Sequence, residues 1–195
     1  TIYTVRINKC NVLREKDMKI WKLDCDVDNY ENLMLEDMDL ELLHSFDGRS
    51  IRDKWEPLNV KRMYNRKFSN TPGLASHIPI FDNIAVEVLK EYLDENVEIL
   101  PLICDDKMFY AINVVNVQDC IDYSKSKYIC FRDGTRIMRF MKYSFDEIKV
   151  QNVGHIFKLK DEPLKCPFVS DRFRETVIEN KLQGFKFELA WDSDN

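Results

Sequence analysis

The sequence is poor in the residues that most often assemble an active site. It has three histidines, His44, His77 and His155, and five glycines in 195 residues. With so few glycines, a phosphate-cradling loop and a dinucleotide fingerprint are both excluded. No Gly-x-Ser-x-Gly elbow and no His-Glu-x-x-His pair occurs. None of the six cysteines, at 10, 25, 104, 120, 130 and 166, forms a Cys-x-x-Cys pair or has zinc-finger histidine spacing. Long apolar runs are missing too: the stretch 99–104 is among the longest and contains Pro101, whereas a transmembrane helix needs about 20 apolar residues. The first residues alternate polar with apolar and lack the apolar centre of a secretion signal. Basic residues are not in excess, 29 against 34 acidic, so no basic footprint dominates. These absences point to a cytoplasmic chain with reduced, core-forming cysteines. No cofactor, metal, nucleic acid or membrane partner is expected.

What is present is the balance of a globular protein, 45% hydrophobic and 32% charged. The length suits a single domain over residues 18–195, divisible into an N-terminal lobe 18–80 and a C-terminal lobe 81–195. Alternation predicts a strand at 19–25, whereas periodicity leaves 33–43 open between short strands and helix. A strand is expected near 60–64, and a loop at 69–79 from Thr71-Pro72-Gly73 and Ile78-Pro79. Residues 82–95 carry a helical apolar arc, with Asp82 placed to cap it and Asn96 to end it in a left-handed conformation.

Strands follow at 98–103 and 108–115. The second is apolar on both faces, so the Asn113 amide inside it must find partners. Asp133-Gly134 between apolar runs signals a hairpin. Another strand is expected at 155–159. A helix over 171–181 can be capped by Ser170 or Asp171, Gly184 permits the turn out, and 185–191 alternate as a half-buried strand. The order gives an α+β fold, a mixed and largely antiparallel sheet with hairpins and two main helices.

Charge is uneven. From Asp24 to Asp47 there are nine acidic residues and no Lys or Arg, and from Arg49 to Lys67 seven basic residues against Asp53 and Glu56. The two segments either attract each other and face solvent, or offer an acidic surface that steers a basic partner. Asp24, Asp26 and Asp28 recur at every second residue, so a strand would project them from one face. There they could hold a divalent cation, protect a strand edge, or meet Lys and Arg on a partner.

Residues 169–191 (VSDRFRETVIENKLQGFKFELAW) resemble the closing signature of immunity family eleven of bacterial polymorphic toxin systems, a former domain-of-unknown-function family. The likeness extends to Leu100-Pro101-Leu102, Tyr110, Asn113-Val114, Cys120-Ile121-Asp122 with Ser124 nearby, Ile156-Phe157-Lys158 and residues 18–23. Residues 1–17 have no counterpart and are read as an extension ahead of Met18. The resemblance implies a cytoplasmic antidote that binds and blocks a toxin encoded beside it, and it carries no active site with it. Leu100, Pro101, Tyr110, Asn113, Asp122, Ser170, Phe173, Gly184 and Phe187 are family-motif positions with packing roles. Toxin contacts are therefore expected in the charged, less family-like stretch 24–67, at Asp24, Asp26, Asp28, Glu31, Glu36, Asp37, Asp39, Trp55 and Tyr64. The alternatives are a small hydrolase pairing a cysteine with His77 or His155, and a regulatory adaptor without a toxin partner.

Overall fold

A computed structural model describes residues 18–37, 40–63, 66–105 and 107–194. The extension 1–17, Asp39 and Tyr64 therefore lie outside the described residues. The first part of the chain forms β1 (Lys19–Cys25), β2 (Leu33–Leu35), α1 (Leu40–His44), β3 (Leu58–Arg62), β4 (Ile80–Asp82) and α2 (Asn83–Leu89). There follow β5 (Val97–Cys104), β6 (Lys107–Val114), β7 (Val117–Gln118), β8 (Lys127–Cys130) and β9 (Ile137–Lys142). The chain continues through α3 (Glu147–Val150), β10 (Ile156–Leu159), β11 (Phe168–Ser170), α4 (Asp171–Glu179) and β12 (Phe185–Asp192). The fold is mixed α+β. Two five-stranded sheets run in the orders β12-β1-β11-β10-β7 and β2-β3-β5-β6-β4, and β8-β9 stand apart as a ribbon. Most pairs are antiparallel; β7 with β10 and β3 with β5 are parallel.

The apolar β6 lies between β4 and β5, which explains its lack of a polar face. The first sheet is covered on both sides. Ile156 stands opposite Val169 and both enter a core with Leu23, Phe81, Leu89 and Phe173. Phe157 stands opposite Phe168, and both enter a second core with Ile20, Phe145 and Trp191 on the other face. A third core joins β2, β3, β5 and β6 to Phe46, ahead of the 3₁₀ turn Arg52–Lys54.

Both main helices begin as their sequences direct. The Asp82 carboxylate accepts from the Ala85 N–H, and the Ser170 hydroxyl from the Phe173 N–H. The first helix ends earlier than its apolar arc suggests. It stops at Leu89, tightens into a 3₁₀ turn at Lys90–Tyr92, and Asn96 does not adopt a left-handed conformation. Instead the Asp94 side chain accepts from the Asn96 N–H at 2.8 Å and the Asp94 carbonyl from the Val97 N–H at 3.1 Å. That tight turn feeds β5 at once, and strand pairing replaces the last helical turn. The undecided stretch 33–43 holds one of each element, β2 and then α1.

Candidate functional site

The acidic candidates do not form one face. β1 stops at Cys25, so the Asp24, Asp26 and Asp28 row breaks at a turn. Asp24 accepts from the Cys25 N–H at 2.9 Å, and Asp26 binds the Asn29 N–H and side-chain amide. Glu31 is buried: it accepts from the Ser69 N–H at 3.2 Å and pairs with Arg62 at 3.2 Å. Asp28, Glu36 and Asp37 are exposed carboxylates. Trp55 is also spent on the fold, donating from Nε1 to the Pro101 carbonyl at 3.1 Å and standing edge-on to Phe46. Among the described residues, no group of three or more His, Cys, Asp or Glu could hold a metal ion.

The motif residues are structural. Asn113, fully buried on β6, donates to the Arg49 carbonyl at 2.9 Å and to Glu98 at 2.8 Å. Its Oδ1 finds no partner among the described residues. Burial pushes the Glu98 carboxyl up, but hydrogen bonds from Ser50, Ile51 and Asn113 together hold it below the usual range. Leu100 is core, and the Tyr110 hydroxyl donates to Asn83 at 2.9 Å. Asp122 accepts from the Ser124 N–H and hydroxyl. Phe173 is buried, Phe187 packs half-buried against the same core, and Gly184 takes a φ of 87°.

Among the described residues, neither His77 nor His155 is paired with a cysteine, as the hydrolase reading would need. His77 meets the Leu43 carbonyl at 2.9 Å and His155 the Ser170 hydroxyl at 2.7 Å. Burial pushes the Cys25 and Cys120 thiols up to about 12 and Cys166 up to about 11. Such thiols stay protonated at neutral pH, and the thiolate is the nucleophile.

Sequence reading missed Lys158. Its side chain is 1% exposed on β10 and its Nζ donates to the carbonyls of Phe46 at 2.5 Å and Pro163 at 2.9 Å. An unpaired ammonium held there is costly, and burial pushes its pKa down from 10.5 to about 8. Between those values the unfolded chain holds the proton and the folded chain releases it, so this group favours folding as pH rises through the window. Relative to Lys158→Met, the natural protein should gain roughly 1 kcal/mol of stability per pH unit from about pH 8 to 10. Urea unfolding across that range reads it, and parallel profiles would contradict it.

The described residues contain no helix long and apolar enough to cross a membrane. Their arrangement is that of a mixed α+β protein. Residues 104–192, from the end of β5 through β12, match the model of the immunity protein family (Imm11). The matched family is one of immunity proteins, which implies toxin neutralisation and a cognate toxin as partner. No curated protein matches the chain.

Proposed function

We propose that this protein is an antidote that binds a cognate toxin stoichiometrically in the cytoplasm and blocks it by contact, without chemistry of its own. The immunity-family match over 104–192 carries this reading. Supporting it, the buried thiols are held protonated and both described ring partners of His77 and His155 are oxygen atoms of the fold. The toxin is taken to be encoded by an adjacent gene. Co-expression tests the reading: the pair should co-purify and the antidote should restore growth, and failure of either overturns it.

Of the acidic candidates, Asp28, Glu36 and Asp37 remain available to steer a basic toxin surface. Reversing all three to Lys should slow association several-fold at low salt while leaving dissociation nearly unchanged. An unchanged on-rate under those conditions would reject this surface.

A further inference from the structure

Exposed large apolar side chains are scattered over most of the surface but gather at one element. Among the described residues, seven of the eighteen lie within 123–148, in and beside the β8-β9 ribbon. Singly exposed apolar residues need no explanation, but a concentration on one element does. Register shows how the ribbon presents them. Tyr128 stands opposite Phe140, their rings 5.7 Å apart; Phe140 enters the core beneath the first sheet, whereas Tyr128 stays exposed. The next pair, Ile129 opposite Arg139, is exposed on both strands, on the face away from Phe140, because successive residues on a strand alternate faces.

The register also shifts twice. Met141 and Met138 are the extra residues at those irregularities, and they are 60% and 45% exposed. A bulge re-aims side chains and commonly marks a functional rim. Methionine is the flexible, polarizable residue that fits irregular partner surfaces. At the tip, the Arg136 guanidinium covers one face of Phe131 at 5.1 Å. Neither β8 nor β9 has another strand neighbour among the described residues, so both ribbon edges are open.

Charge selects the partner. Residues 125–142 hold Lys125, Lys127, Arg132, Arg136, Arg139 and Lys142 against Asp133 alone, in a chain of net charge −5. Basic residues alone would read as edge protection. Combined with the exposed Ile129, Met138 and Met141, they place apolar side chains and positive charge together on one ribbon. That anatomy suits a protein partner, and like charge opposes pairing with the same ribbon of a second copy.

We infer that the β8-β9 ribbon is a docking surface for an acidic, apolar face of the cognate toxin. This rests on the antidote reading above and lies outside the stretch 24–67 in which sequence placed the contacts.

The test uses the full chain and the toxin encoded by the adjacent gene. Met138→Ala with Met141→Ala, and separately Arg136→Glu with Arg139→Glu, should each weaken toxin affinity about tenfold or more, the charge pair mainly through association rate. Circular dichroism and the thermal midpoint should be unchanged, because all four side chains are exposed. Ile84→Ala, an exposed position on α2, should bind like the natural protein. If the natural protein binds toxin and both ribbon variants bind equally well, the inference falls and the antidote reading stands. If the natural protein does not bind toxin, both fall. Ribbon-dependent capture of a labelled single-stranded oligonucleotide, or a ribbon-dependent dimer, with toxin affinity unaltered would also overturn the assignment.

Discussion

Phe173→Ala is expected to lower the unfolding free energy by about 3–5 kcal/mol, a large share of the roughly 5–15 kcal/mol typical of a domain. Phe173 is 0% exposed in the first turn of α4, and its ring lies 5.5 Å from that of Tyr92. It fills a core built jointly by α2, α4, β4 and the first sheet, including Leu23, Phe81, Ala85, Leu89 and Val169. Truncation opens a cavity among elements tied from several directions. The Trp21 Nε1 donates to Asp171 at 2.7 Å, and the Tyr92 and Thr176 hydroxyls meet at 2.7 Å. Those ties limit collapse, so the cost should sit near the upper part of the range. Phe173→Leu, which keeps most of the volume, should cost less than about 1.5 kcal/mol. Urea unfolding followed by circular dichroism checks both, and an unchanged midpoint for Phe173→Ala would contradict the packing argument.

Gly184→Ala should cost about 2–5 kcal/mol, combining backbone strain with overpacking. The residue sits at φ 87°, and a Cβ there would lie 2.0 Å from the Ser69 Oγ and 3.0 Å from the Ser69 Cβ. Ser69 has little freedom to retreat. It is fully buried, its hydroxyl accepts from the Thr71 N–H at 3.0 Å, and its N–H donates to Glu31. The flanking chain is tied as well: the Gly184 carbonyl accepts from the Asp26 N–H at 2.8 Å and the Gln183 N–H donates to Asn70 at 2.8 Å. Ser69→Ala removes the nearer clash but not the positive φ. The double variant should therefore be less destabilised than the sum of the singles, and strict additivity in a double-mutant cycle would refute the contact.

The same network buries Glu31, one of the residues expected to contact the toxin. In sequence it belongs to an acidic run and looks solvated. In the structure it reaches Ser69, 38 residues away, and Arg62 on β3, so part of the acidic-to-basic contrast is neutralised inside the molecule. Trp55 is likewise tied across the fold, since its partner is a carbonyl on β5, 46 residues on. Nothing local distinguishes a carboxylate or an indole that will be paired across the fold from one left at the surface.

Elements with a full period were legible from sequence. β1 occupies the alternating segment Lys19–Cys25, the Asp133-Gly134 turn joins β8 to β9, and Ser170 caps α4. The short elements β4, β7, β11 and α3 were not, because two to four residues contain no complete repeat to recognise. The end of α2 was missed because the Asp94 turn into β5 competes with the last helical turn.

The sequence by itself determined the α+β class, the N-caps at Asp82 and Ser170, the Asp133-Gly134 turn, and a family resemblance that a family model matches over 104–192, since each depends on neighbours within a few residues or on an ordered set of motifs. Only the tertiary structure decided which charges are spent inside the fold, how Lys158 is buried, and where apolar surface is left open. Those outcomes depend on residues far apart in the chain. The β8-β9 ribbon shows the point most plainly: Phe140 is drawn into the second core, while Ile129, Phe131, Met138 and Met141, ordinary strand apolars in the sequence, stay exposed.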